Sequence, residues 1–340
     1  ESLNLEAPTN LKWHYALVIP AYRESESFFN TLESLPKPSG KLLVILVINK
    51  PSWDQKKDSN QELRDLINNL EEPFNKNNNV EIKSLRDGVD VLVIDHEKIF
   101  GAHAKCNVGL ARKIGFDLAL AWYAAGKIES DWLSSTDADA ILPPDYFKRI
   151  EKIKSTCKAI CWPFSHMPSN DNSIDTACKM YVLHMHHYAL GLTYAKSPYN
   201  YHSLGSCISV RARAYAEVRG FPKRDAGEDF YMLNKLRKVG RIHCLTGQCI
   251  SIATRESDRV PFGTGPAISA IVNSKVTPEE YKLYNPQCFT ALKAVIKSIP
   301  KLWSHTADPL RDILEKQNLP KELAIAAEES LIKLGITKAI

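Results

Sequence analysis

Unbroken apolar runs punctuate the first half of the chain, and stretches of helical periodicity separate them. Residues 15–19 (Tyr-Ala-Leu-Val-Ile) run apolar up to Pro20, and residues 42–48 (Leu-Leu-Val-Ile-Leu-Val-Ile) form the longest such run. Runs without a polar alternate predict strands buried on both faces, as in the interior of a parallel sheet. Residues 91–94 predict a third strand, 130–135 a fourth and 159–162 a fifth. Between them the spacing predicts helices over 28–35 and 105–125, the latter with Ala, Leu, Ile and Phe recurring at helical intervals. Residues 53–86 are polar, Asn-rich at 75–79 and helical near 62–70, and read as an excursion away from the sheet. This alternation of strand and helix predicts an α/β fold: a mainly parallel sheet sandwiched by helices.

The second half is less regular. Helices are predicted at 175–194, at 212–218 closed by Gly220, and at 229–239 ending at Gly240; strands are predicted at 205–210, 241–245 and 249–253. Beyond about residue 271 the pattern becomes helical, with breaks expected at Pro278, Pro286, Pro300, Pro309 and Pro320. The expected organisation is one α/β domain over 10–270 and a C-terminal helical extension over 271–340. No internal repeat is evident.

Composition narrows the class. With 340 residues, 44% hydrophobic and 24% charged, the chain can bury a large core and is not expected to be disordered. The net charge of +5 suits anionic substrates or a loose association with a membrane surface, and lacks the Lys/Arg runs of a dedicated nucleic-acid binder. The seven-residue run at 42–48 falls far short of the roughly 20 residues needed to span a bilayer. No signal-peptide pattern is visible near Glu1, and the expected location is cytoplasmic or peripheral at the inner face of the membrane. Eight cysteines without a Cys-x-x-Cys pair read as reduced thiols in preference to a zinc site. His184 and His187 lie three apart on an expected helix and are assigned to packing or substrate contact.

Chemistry concentrates at two acidic pairs. Asp137 and Asp139 follow the fourth expected strand and are separated by one residue. On an extended backbone alternate side chains share a side, so both can face one ion or one diphosphate. Pro143-Pro144 ends the strand there, and strand ends are where α/β proteins bind ligands. Oxygen ligands of this kind suit Mg²⁺ or Mn²⁺ shared with substrate phosphates, although the same spacing also arises in solvated turns. Glu228 and Asp229 follow Gly227 and open a helix, where, taken alone, capping and the helix dipole are the usual explanation for them.

Three blocks together, Val18-Ile19-Pro20-Ala21-Tyr22-Arg23-Glu24, Thr136-Asp137-Ala138-Asp139, and Gly220-Phe221-Pro222 through Gly227-Glu228-Asp229, resemble the glycosyltransferase family 2 pattern in order and separation, over about residues 15–265. The resemblance implies a GT-A fold, a nucleotide-diphospho-sugar donor, a divalent cation, and a sugar, lipid-linked or small-molecule acceptor. It implies that Pro20, Ala21, Tyr22 and Glu24 line the base and ribose. Asn49-Lys50 stands where relatives commonly carry an acid, so the base is left open. In the segment 101–109, Lys105 would meet an anionic group at a helix start or stand as a solvated charge. Asp139 is similar to the family's direct metal ligand and Asp137 to its partner. His243 is the candidate for a third ligand, with core packing as the alternative. Asp229 is the expected general base of an inverting transfer, and Glu228 its alternative or a group orienting the acceptor.

Arg255, Ser257 and Arg259, followed by residues 261–265, form a basic, glycine-containing loop expected to cover the diphosphate or a phosphorylated acceptor. Trp162, Phe164, Tyr201 and His202 are candidates for an acceptor face. Two rival readings stand beside the transferase. A nucleotidyltransferase would carry a glycine-rich basic signature after the first strand, where residues 21–26 contain no glycine; a catalytically silent sugar-nucleotide-binding protein would have lost Asp139 or Asp229, and both are present.

Overall fold

The structure is a computed structural model that describes residues 5–6, 8–77, 80–101, 103–257, 259–260, 263–303 and 310–334. The expectations that touch Asn78, Asn79, Ala102, Pro261, Phe262 and Pro309 lie outside the described residues. The chain divides into two compact units, residues 1–178 with 203–274, and residues 179–202 with 275–340.

In chain order the first unit holds β1 (Tyr15–Ala21), α1 (Ser27–Glu33), β2 (Leu42–Ile48), α2 (Gln61–Asn68), β3 (Asn75–Asn77), β4 (Val80–Arg86), β5 (Val89–Asp95), α3 (His96–Phe100), α4 (Val108–Ala124) and β6 (Trp132–Ser135). There follow β7 (Ala140–Ile141), α5 (Tyr146–Glu151), β8 (Cys157–Cys161), β9 (Phe164–Met167) and the start of the long α6 (Asn172–Tyr194). After the second unit's insertion come β10 (Ile208–Arg211), α7 (Ala212–Glu217), α8 (Glu228–Val239), β11 (Arg241–Cys244), β12 (Ile250–Ala253) and α9 (Thr264–Ser274). The second unit holds the rest of α6, then α10 (Pro286–Trp303), α11 (Leu310–Glu315) and α12 (Lys321–Lys333).

The architecture is mixed α/β. A nine-stranded sheet runs β11-β8-β10-β6-β1-β2-β5-β4-β3, flanked by helices. Only β10 and β4 run against the other seven of these described strands. Every residue of β1 and β2 is buried, as strands covered on both faces must be. A second sheet, β7-β12-β9, lies beyond the ends of β6 and β8.

Three expectations are corrected here. Residues 53–86 do not leave the sheet altogether: β4 returns antiparallel to β5 and β3 pairs with β4. The burial of β4 is mixed, because an outer strand needs less apolar surface than the interior. The helix expected from residue 105 starts at Val108, where the Asn107 side chain accepts from Leu110 N at 2.8 Å and caps it. The strand expected at 205–210 begins as a 3₁₀ turn, Gly205–Cys207, before β10.

Nor does Pro20 end β1. Ala21 O bonds Asn49 N on the β2 side, whereas Val18 O bonds Thr136 N on the β6 side, and Pro20 faces the latter. Pairing with β6 ends at Val18 and Ser135, so the N–H that proline lacks has no ladder position to fill. In the second unit, α10 runs through Pro300 in its last turns instead of breaking there. Ala294, Leu314, Leu319 and Ala324 form the core shared by α10, α11 and α12. Among the described residues no helix is long and apolar enough to cross a membrane.

Candidate active site

Parallel strands β1, β2 and β6 deliver Glu24, Asn49 and the segment 136–139 to one edge of the sheet, their carboxyl ends. That segment is pinned at both ends. Thr136 N bonds Val18 O at 3.1 Å, Ala140 N bonds Asp137 O at 3.3 Å, and Ala253 N from β12 bonds Asp139 O at 3.3 Å. The two carboxylates therefore stand on a backbone held between two sheets.

Arg112 of α4 is the centre of the site. Its guanidinium is buried and meets Asp137 through Nη2 at 2.5 Å, Glu228 through Nε at 2.9 Å, and the Ser135 hydroxyl through Nη1. Burial alone would depress the Arg112 pKa, but Asp137 and Glu228 outweigh it and hold the charge. Both acidic pairs thus converge on one cation. Gly205 packs directly against the guanidinium, and any side chain there would displace it.

Asp229 is next to this network. Gly227, at φ 72°, turns the chain into α8 in a left-handed conformation that favours glycine, and Glu228 and Asp229 occupy the first helical turn. Asp229 accepts from Phe230 N at 2.6 Å. Burial, then the neighbouring Glu228 charge, push its pKa up to about 7, against the opposing pull of Arg112. A carboxyl group balanced near neutrality can take a proton at working pH.

A second arginine pair closes the other side. Arg255 donates to Asp139 Oδ2 through Nε at 2.8 Å and Nη2 at 2.6 Å. Arg259 pairs with Glu24 and donates to Arg23 O at 2.6 Å. Burial raises the pKa of Glu24, and Arg259 and Arg255 work against that rise. His166 of β9 lies near enough to Asp139 for the carboxylate to oppose the lowering of its pKa by burial. Both His166 ring nitrogens are buried without a hydrogen-bond partner. Oxygen from Asp137 and Asp139 and nitrogen from His166 make a donor set suited to Mn²⁺ or Mg²⁺. As these side chains stand, no group of three His, Cys, Asp or Glu among the described residues encloses an ion, and Arg255 occupies Asp139.

The structure thus brings together Glu24, Asp137, Asp139, Glu228, Asp229, Arg255 and Arg259. Others in the expected set are elsewhere or engaged. Pro20 and Ala21 are buried within β1. Tyr22 is buried with its hydroxyl on Asp54 Oδ2 at 2.7 Å, and Asn49 is buried with its amide on Cys106 O at 3.1 Å. Lys105 is exposed, ahead of the Asn107 cap and outside α4. His243 stands on β11, at the sheet's edge and three strand positions from β6, roughly 14 Å at about 4.8 Å per strand. Trp162 is core: it stacks on Tyr146 at 4.0 Å and donates to Ser209 Oγ at 3.0 Å. Tyr201 and His202 belong to the second unit.

Arg112 and His166 are the residues the pattern of the chain did not single out. For Arg112 a signal was present. It shares one helical stripe with Gly115, Phe116 and Ala119, all buried, and a charge inside an apolar stripe needs a partner. His166 offered no such cue.

No protein-family model matches the chain, and no curated protein matches it. Among solved structures it is similar to a mannosyltransferase from Pyrobaculum calidifontis, PcManGT, in complex with GDP-Man and Mn²⁺, at 12% identity and a TM-score of 0.42, covering 100% of this chain and 84% of that one. A mycobacterial protein is similar at 12% identity and a TM-score of 0.40, covering 80% of this chain and 76% of the other.

Proposed function

We propose that the chain is a metal-dependent glycosyltransferase of the family 2 kind, moving a sugar from a nucleotide-diphosphate donor to an acceptor hydroxyl with inversion. The observation that carries this reading is the meeting of Asp137 and Glu228 on the buried Arg112. Residues far apart in sequence, 137 and 228, become the two halves of one site, as a displacement between donor and acceptor requires.

Asp229 takes the role of general base. Its pKa near 7 leaves a substantial ionised fraction at neutral pH, able to accept the proton of an acceptor hydroxyl attacking the anomeric carbon. Glu228, neutralised by Arg112, holds the start of α8 and orients the acceptor. Arg255 and Arg259 are the cations that a diphosphate would draw from Asp139 and Glu24. Asp139 and Asp137, with His166, would hold a divalent cation, Mn²⁺ or Mg²⁺, which would neutralise the charge developing on the leaving diphosphate. Glu24, at the end of β1, remains for the nucleotide.

The test is turnover of a panel of uridine-, guanosine- and cytidine-diphosphate sugars with Mn²⁺ or Mg²⁺. Release of the nucleoside diphosphate is expected, and release of pyrophosphate from sugar phosphate and nucleoside triphosphate would instead identify a nucleotidyltransferase. Asp139→Ala should abolish metal-dependent turnover, by at least about 10²-fold, while leaving thermal unfolding cooperative. A wild-type protein that neither binds nor turns over any donor would sink the proposal.

A further inference from the structure

The second unit presents a face that the proposed chemistry does not use. On α6, Leu183, Leu190 and Tyr194 are 55%, 69% and 52% exposed. At about 100° per residue these three fall within about 40° of one another, and the exposed Lys179 lies on the same side. Helix α10 packs alongside: Phe289 touches Gly191, His187 Nε2 is 2.8 Å from Tyr284 O, and Lys293 Nζ sits 3.9 Å from the centroid of the Tyr194 ring. Lys297, one turn further along α10, is exposed. The apolar stripe and the lysines are therefore continuous.

Charge in these segments is one-sided. Residues 179–202 and 281–303 contain no Asp or Glu but carry Lys179, Lys196, Lys282, Lys293, Lys297 and Lys301, in a chain with 39 acids among 340 residues. At the chain's own frequency about five acids would be expected there. Such a face needs a partner both anionic and apolar just below its surface. We infer that the α6–α10 face of the second unit binds the surface of an anionic lipid bilayer, with Leu183 and Leu190 entering the acyl boundary, Tyr194 at headgroup level and the lysines on the phosphates. A second copy of the chain would set lysine against lysine, and a nucleic acid would leave the leucines against phosphate.

The test is independent of turnover: flotation of the full chain with vesicles of phosphatidylcholine alone, or of phosphatidylcholine with phosphatidylglycerol. Wild-type protein should float with the anionic vesicles only and be released as salt rises. Leu183→Glu with Leu190→Glu should lower the partition coefficient at least about tenfold, and Lys293→Glu with Lys297→Glu at least as much, at about fivefold per lysine. Both pairs are surface changes and should keep the wild-type circular dichroism and unfolding temperature. Flotation with neither vesicle, or flotation unchanged by either pair, overturns the inference. So does a wild-type dimer in sedimentation velocity that the leucine pair dissolves, since the stripe would then be a protein interface.

Discussion

Arg112 is the residue on which the site's electrostatics turn. A buried guanidinium with two carboxylates and a hydroxyl is stable only as a set, because removing the cation strands Glu228, which is 4% exposed. Arg112→Met should therefore cost about 3–5 kcal/mol in urea unfolding, and Arg112→Lys should recover little, since one ammonium cannot span three partners. An unchanged midpoint would refute this assignment. Asp229 gives a second prediction. Its folded pKa, about 7, lies above the ordinary 3.8, so the native state binds the extra proton between those values and Asp229's contribution to stability falls as pH rises through that window. Asp229→Asn should flatten that decline and unfold at a higher temperature than wild type at pH 8. The same variant should lose transfer by about 10²–10⁴-fold with donor binding intact, and the wild-type rate should climb through pH 7 as the base ionises. A wild-type rate that is flat from pH 5 to 9 would remove Asp229 as base. At this scale the acidic residues were legible in the sequence because their spacing is local. His166 was not, since only the pairing of β9 with β12 brings it beside Asp139.

Elements were legible wherever burial is complete. The run at 42–48 coincides with β2, and the strand expected at 91–94 lies inside β5, because interior strands of a parallel sheet leave no polar alternate to confuse the pattern. Strand β4 was not, since it carries Glu81, Lys83, Ser84 and Arg86, whereas the edge strand β11 falls within the strand expected at 241–245. Lys83 is buried all the same, its ammonium donating to Ile67 O at 3.1 Å, a solution that composition does not foretell. The start of α4 shows how an element can position the site. Gly109 lies so close to residues 222–224 that a Cβ would meet Pro222 O at 2.6 Å and both Arg224 N and Arg224 O at 2.7 Å. These are backbone atoms just upstream of Gly227, further tied by Gly109 N to Arg224 O at 3.2 Å and Asn107 Nδ2 to Asp225 Oδ1 at 3.0 Å. Gly109→Ala should consequently destabilise by about 1–3 kcal/mol, lowering the thermal midpoint, and should depress transfer more than donor binding because the displaced segment leads into α8. Wild-type stability and turnover in that variant would show that the segment yields freely.

Across the whole chain, the eight cysteines report how its interior is protected. All are free thiols, five of them buried: Cys106, Cys157, Cys161, Cys178 and Cys207. Burial raises the pKa of Cys106 and pushes that of Cys207 up to about 12, so neither forms a thiolate at ordinary pH while the fold is intact. Cys244 behaves oppositely. It is exposed, and a hydrogen bond from Cys161 favours its thiolate and lowers its pKa; Cys288, in the second unit, is exposed as well. A thiol-specific chromogenic disulfide reagent should therefore modify Cys244 first, Cys288 next and the half-buried Cys249 later, leaving the other five until the chain unfolds, when all eight titrate. Because its thiolate is favoured, Cys244 should reach its full reaction rate at a lower pH than a free thiol standard does. Peptide mapping after timed quenching assigns the order. If buried and exposed thiols reacted together at one rate in native buffer, the first unit would be opening as fast as the reagent arrives, and the rigid placement of Arg112 against Asp137 and Glu228 could not stand.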